Sequence, residues 1–306
     1  MTDAAAPGRP KQGTAPSGGR EPHEVGNRGG SDQYAVIGNP IGFSKSPLIH
    51  GMFAEVTGQD MVYTAIEGPL GDQDGGFKAT VDAFRAAGGL GMNVTAPFKL
   101  DAFAYATERS EAAQLAGAAN AMKFEGERVL VQNYDGVGLV RDVAHNLETP
   151  LKGKRVLMLG AGGAARGALL PFLAEGPAEL VIANRRLDKA HALVAIGASK
   201  GMVRGCTYAE LEGQTFDVVF NATSASLRAE LPPVPASVFA NCSLAYELAY
   251  GKGLTPFLRL AQNAGVKRLA DGVGMLVEQA AEAFAWWRGV RPATRAVIDR
   301  ITVPLV

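Results

Sequence analysis

Between Arg155 and Gly167 the chain passes from a short apolar run, Arg155-Val156-Leu157-Met158-Leu159, directly into Gly160-Ala161-Gly162-Gly163-Ala164-Ala165. This is the spacing of a strand, a glycine turn and the first turn of a helix. Gly160 permits the tight exit from the strand, Gly162 lets backbone approach a pyrophosphate, and the small Ala165 lets helix and strand pack closely. The helix would then point its free N–H groups at the anion. Glycines after a strand also serve ordinary turns, so context decides. Strand-like runs at Leu180-Val181-Ile182-Ala183 and Phe216-Asp217-Val218-Val219-Phe220 follow at βαβ spacing, which favours a dinucleotide-binding unit with Gly160, Ala161, Gly162, Gly163 and Ala164 at the cofactor. The run lies mid-chain. A second body of sequence therefore precedes it, and substrate chemistry belongs there.

The 306 residues suffice for two domains, and 47% are hydrophobic, enough to fill two cores. Thirty Lys and Arg balance thirty Asp and Glu, so no global field recruits nucleic acid or an anionic membrane. Cys206 and Cys242 lack C-x-x-C spacing and read as buried free thiols, with neither zinc nor a disulfide framework indicated. Residues 1–33 are crowded with Gly, Pro and polar residues, contain no signal-peptide core, and read as a disordered leader. No run approaches the ~20 apolar residues of a membrane span, and a cytoplasmic location is expected.

Tyr34-Ala35-Val36-Ile37-Gly38 reads as a first strand that ends in the rigid loop Asn39-Pro40-Ile41-Gly42-Phe43-Ser44-Lys45-Ser46-Pro47. Ser46 has the chemistry of a helix N-cap with Pro47 at the first helical position; alternatively Ser44 and Ser46 present paired hydroxyls to an anion. A helix from Leu48 to about Val56, a strand over Met61 to Ile66 and a helix over Phe77 to Ala87 continue an α/β alternation, which predicts a second parallel-type sheet. Its next strand, Gly91 to Thr95, runs into Ala96-Pro97-Phe98-Lys99, with Pro97 suited to the first turn of a helix. Asn93, Thr95 and Lys99 then surround the carboxyl end of a strand, where open α/β sheets bind ligands. A solvated Lys99 is the plainer alternative. Asn120 lies in a small, apolar setting, and a buried amide needs partners. Asp135 precedes a helix from Val137 to about Asn146, and capping alone would account for it unless Lys99 lies nearby.

Leu147 to Lys154 reads as a linker. About 20 residues after the glycines, an NAD-preferring site carries an acid for the ribose hydroxyl; here Asn184, Arg185 and Arg186 stand instead, with Lys189 further on, and guanidinium suits a 2′-phosphate. Thr255 to Asn263 and Gly274 to Trp287 read as helices. The latter is apolar along one side through Met275, Val277, Ala281, Phe284 and Ala285, with Gln279 as an uncharged polar exception. His23, His50, His145 and His191 show neither metal spacing nor triad companions, so structural or surface roles are expected and no metal is.

Taken together, Gly38-Asn39-Pro40-Ile41 with Ser44-Lys45-Ser46-Pro47, Asn93-Val94-Thr95-Ala96-Pro97-Phe98-Lys99 and Asn133-Tyr134-Asp135-Gly136 resemble shikimate dehydrogenase in order and spacing. The glycine run, Asn184-Arg185, Asn221-Ala222-Thr223-Ser224 and Asp271 to Gln279 extend the resemblance from Tyr34 nearly to the C-terminus. It implies NADPH-dependent reversible reduction of 3-dehydroshikimate to shikimate in aromatic amino-acid biosynthesis. The implied fold is an α/β substrate domain, 34–135 with 271–306, and a Rossmann-type NADP domain, 136–270, the C-terminal helices returning to the first. Lys99 and Asp135 would be catalytic. Ser44, Ser46 and Tyr250 would hold the carboxylate, with Asn93, Thr95, Asn120 and Gln279 around the hydroxyl and keto groups. Thr223, Leu248 and Gly272 would join the cofactor contacts. The family usually has Thr at Tyr134, His at Phe43, Asp at Glu247 and Gly at Ser226, so Tyr134 is expected to reshape the pocket. Quinate or an amino-substituted analogue is the alternative substrate, a non-catalytic NADP-binding regulatory protein the alternative class, and a monomer or homodimer the expected assembly.

Overall fold

The computed structural model describes residues 1–2, 30–71 and 75–305. The expected leader lies outside the described residues save for 1–2 and 30–33, and Asp32 and Gln33 already belong to the first strand. That first body comprises β1 (Asp32–Gly38), α1 (Ser46–Thr57), β2 (Met61–Glu67), α2 (Gly76–Ala86), β3 (Gly89–Val94), α3 (Lys99–Tyr105), β4 (Glu108–Arg109), α4 (Glu111–Ala116), β5 (Ala121–Glu125) and β6 (Arg128–Gln132). Its strands form one sheet in the order β2-β1-β3-β5-β6-β4. β1 runs parallel to β2 and β3, but β5 is antiparallel to both β3 and β6, so the sheet is mixed rather than parallel. The cause is local. Glu125 pairs with Arg128 across Gly126-Glu127, and a connection this short can only join antiparallel strands.

The second body begins with α5 (Asp135–Arg141), which continues as a single π turn over Asp142–Asn146 instead of one uninterrupted α-helix. It contains β7 (Arg155–Leu159), α6 (Gly163–Ala174), β8 (Glu179–Ala183), α7 (Leu187–Gly197), β9 (Val203–Cys206), β10 (Val218–Asn221), β11 (Leu244–Glu247), α8 (Pro256–Asn263) and β12 (Leu269–Asp271). All six strands are parallel in the order β12-β11-β10-β7-β8-β9, the doubly wound arrangement of a dinucleotide-binding fold. Phe172, Phe220 and Tyr246 fill one side of this sheet, and Phe216, Phe239 and Phe257 the other. Each such burial stabilises by roughly 1.5–3 kcal/mol. From β12 the chain enters α9 (Val273–Arg288) and α10 (Arg295–Ile301), which return to the first sheet and pack Val277, Ala281 and Phe284 against Ile49 and Phe53 of α1.

Three local expectations are corrected. Ser46 is the first residue of α1 and caps nothing; its own N–H is received by Ser44 Oγ at 3.3 Å. Pro97 lies in a turn before α3, which starts at Lys99, and its peptide bond with Ala96 is cis. Cys206 is buried as expected, whereas Cys242 is half-buried and donates Sγ–H to the Leu244 carbonyl at 3.0 Å.

Candidate active site

The carboxyl ends of β1 and β3, the starts of α3 and α5, and the first two turns of α9 meet around a cavity of about 350 Å³. Its wall holds Ser44, Ser46, Asn93, Thr95, Lys99, Asn120, Asp135, Tyr250 and Gln279, so the structure brings together every residue expected at substrate. Val36, Pro40, Ile41, Met275 and Leu276 add apolar wall.

At its centre Lys99 Nζ donates to Asp135 Oδ2 at 2.5 Å. Asp135 is the first residue of α5, yet its carboxylate bonds no backbone of that helix. Asn133 Oδ1 instead accepts the Asp135 N–H at 3.1 Å, which leaves the carboxylate for Lys99 and decides between the capping and chemical readings. Asn120 Nδ2 donates to the other oxygen, Asp135 Oδ1, at 2.8 Å and to Gln279 Oε1 at 3.1 Å; Asn120 Oδ1 receives the Tyr134 N–H at 2.9 Å. The buried Asn120 amide thus ties β5, α5 and α9 together at one point, and its polar atoms are satisfied. An ammonium held by a carboxylate at the cavity wall can give a proton to an oxygen that gains negative charge.

A second cavity, about 870 Å³, adjoins the carboxyl ends of β7 and β8. Gly160, Ala161, Gly162, Gly163, Asn184, Arg185, Arg186, Lys189 and Thr223 line it, as expected of cofactor contacts. Ala164, Leu248 and Gly272 face the first cavity instead, so the glycine turn stands between the two. Gly160 has φ +100°, a conformation that favours glycine, and Ala165 is buried against the sheet. Nothing lies within 4 Å of the side-chain position at Gly162 or Gly163, which leaves that backbone open to a ligand.

Three family models match: the shikimate dehydrogenase substrate binding domain over residues 36–122, shikimate / quinate 5-dehydrogenase over 142–229 and the shikimate 5'-dehydrogenase C-terminal domain over 272–301. A shikimate dehydrogenase (NADP(+)) from Nitrosospira multiformis is 56% identical over 89% of this chain and 97% of its own, and one from Aromatoleum aromaticum 53% identical over 87% and 95%. The chain belongs to the shikimate dehydrogenase family. Among solved structures, an Ael1 enzyme from Pseudomonas putida is 64% identical with a TM-score of 0.86, covering 90% of this chain and 100% of that one. Shikimate 5-dehydrogenase from Thermus thermophilus, in complex with NADP(H) and shikimate, is 29% identical with a TM-score of 0.76, covering 88% and 97%.

Against the shikimate dehydrogenase pattern, the four departures fall in three places. Tyr134 does not line the substrate cavity: its ring meets Trp286 edge-on with centroids 6.2 Å apart. Phe43 stands at the cavity with 88% of its surface exposed. Ser226 and Glu247 are in contact, the Ser226 hydroxyl donating to the Glu247 carboxylate, with Asn221 Nδ2 at 2.9 Å and Thr255 Oγ1 at 3.2 Å on the same oxygen. Burial pushes the Glu247 carboxyl up, and these donors oppose it. The larger acid and the added hydroxyl therefore form one satisfied network beneath the Asn221-Ala222-Thr223-Ser224 turn.

Proposed function

We propose that this protein catalyses the reversible NADPH-dependent reduction of 3-dehydroshikimate to shikimate, a step toward chorismate and the aromatic amino acids. The observation that carries this reading is the Lys99–Asp135 pair, 2.5 Å apart, in a cavity that the glycine turn separates from a basic second cavity. The named function of relatives more than half identical supports it. Bound NADPH supplies the hydride. In the direction of reduction Lys99 Nζ delivers a proton to the carbonyl oxygen as charge develops there, and in oxidation it takes the hydroxyl proton back. Asp135, itself held by Asn120, aims the ammonium. Ser44, Ser46 and Tyr250 hold the substrate carboxylate, while Asn93, Thr95, Asn120 and Gln279 address the ring oxygens. The exposed backbone of Gly162 and Gly163 suits a pyrophosphate, and Arg185, with Asn184, Arg186 and Lys189 nearby, suits a 2′-phosphate.

In this reading 34–135 with 271–306 act as the substrate-binding unit and 136–270 as the NADP unit, working in the cytoplasm as a monomer or homodimer without a nucleic-acid or membrane partner. Among the described residues no helix is long and apolar enough to cross a membrane. The test is the appearance of NADPH absorbance with shikimate and NADP, with quinate alongside. Lys99→Ala should lower turnover by roughly 10²- to 10⁴-fold with a smaller change in the KM for shikimate. Near-normal turnover in that variant rejects Lys99 as the proton donor, and no turnover by the wild type rejects the activity.

A further inference from the structure

Asn93 is held from behind the cavity by a residue that does not line it. Asn93 Nδ2 donates to the Asn120 carbonyl at 3.2 Å, and its Oδ1 accepts from the Tyr63 hydroxyl at 2.6 Å. A backbone carbonyl can only accept. The amide nitrogen therefore has to face Asn120, the amide oxygen has to face Tyr63, and Tyr63 has to be the donor. This order leaves one Asn93 N–H for a ligand, beside an oxygen already engaged.

Tyr63 reaches Asn93 diagonally across the sheet. β2 and β3 flank β1, with Tyr63 opposite Tyr34 and Asn93 opposite Val36, so both side chains leave the same face two strands apart. At about 4.8 Å per strand, a short polar side chain on β2 would not span that gap. The ring is clamped as well. His50 stacks on it with centroids 4.1 Å apart and planes 5° from parallel, and His50 is itself enclosed by Phe53 at 5.9 Å and Phe284 at 6.1 Å. Ser46 lies beside the same phenol. With its proton committed to Asn93, Tyr63 can only accept from the Ser46 hydroxyl.

We infer that Tyr63 is a positioning residue for substrate recognition: its hydroxyl orients Asn93 so that the cavity presents an amide N–H and not an amide oxygen. The inference rests on Asn93 being a substrate contact. It is tested by a double-mutant cycle in the full chain, measuring kcat and KM for shikimate and for NADP in wild type, Tyr63→Phe, Asn93→Ala and the double variant, with thermal melting of all four. Tyr63→Phe retains the stacked ring. It should raise the KM for shikimate about 3- to 10-fold while kcat stays within about 2-fold and the KM for NADP is unchanged, and it should have no further effect in the Asn93→Ala background. An equal loss in both backgrounds, or an unchanged KM in Tyr63→Phe beside a raised one in Asn93→Ala, overturns the inference alone. A wild-type KM in Asn93→Ala overturns the substrate role of Asn93 and this inference with it.

Discussion

His50 is fully buried, and among the described residues neither ring nitrogen has a hydrogen-bond partner. Burial lowers its pKa from 6.5 to about 3, with the Asn93 amide nearby opposing, so at neutral pH the ring is an apolar slab against Tyr63. Tyr63, the titratable group stacked on it, has its phenol pushed up by burial and stays neutral throughout. The linkage sign follows. Between about 3 and 6.5 the unfolded chain binds a proton at His50 that the folded chain refuses, so stability is complete above 6.5 and falls with pH by up to about 1.4 kcal/mol per unit. His50→Phe should flatten that slope in urea titrations at pH 4.5 to 6.5, and an undiminished slope would mean the acid sensitivity comes from elsewhere. At the second cavity the proposed 2′-phosphate contact is Arg185. A guanidinium bond to phosphate contributes about 1.5–3 kcal/mol, so Arg185→Ala should raise the KM for NADP roughly 10- to 150-fold, less in high salt, with that for NAD nearly unchanged. Equal losses for both cofactors would remove Arg185 from 2′-phosphate recognition.

At the level of elements, the crossing of α5 over α6 governs where Asp135 stands. α6 contains Pro171, which has no N–H, so the Gly167 carbonyl lacks its helical donor four residues on. Gly136 sits against that carbonyl. A side chain there would press on backbone alone, with Gly167 C at 2.7 Å and Ala168 Cα at 2.9 Å from the new carbon. Helices this close require the missing Cβ, and backbone cannot move aside as a flexible side chain can. Gly136→Ala should therefore destabilise by about 1–3 kcal/mol in urea unfolding and, because Asp135 is the adjacent residue, lower turnover beyond what the lost stability explains. A stable, fully active Gly136→Ala would show that α5 can shift without disturbing the Lys99 pair.

For the whole molecule, the chain passes between the two sheets twice, through α5 with its π turn and through the start of α9. One phenol ties both crossings: Tyr246 on β11 donates to Asp142 Oδ2 at 2.7 Å and accepts the Met275 N–H at 3.3 Å. Two crossings allow a hinge while limiting twist, and closing the cleft would exclude water from hydride transfer. Small-angle scattering should show a smaller radius with shikimate and NADP together than without ligand, and ligand-bound crystals should show a changed angle between the sheets. Identical scattering curves and an invariant cleft would argue for a preformed site.

By itself the sequence determined the two α/β bodies, the glycine turn with its basic companions, and the polar residues at the strand ends. These are consequences of local rules: hydrophobic period, backbone freedom at glycine, and the tendency of open sheets to bind ligands at their carboxyl ends. It did not announce the β5–β6 hairpin, because Ala121 and Met122 are both buried and mask the alternation of an antiparallel strand. Nor did it reveal that Asn133 takes over the cap and frees Asp135, that Tyr134 turns to Trp286, or that Tyr63 stands behind Asn93. The last two depend on distances between residues far apart in the chain, while the first is a local choice between Asn133 and Asp135 that residue type leaves open. The Lys99–Asp135 and Tyr63–Asn93 bonds cross 36 and 30 positions, and no local period encodes such a contact; only the approach of α3 to α5 and the pairing of β2 and β3 with β1 bring the partners within reach.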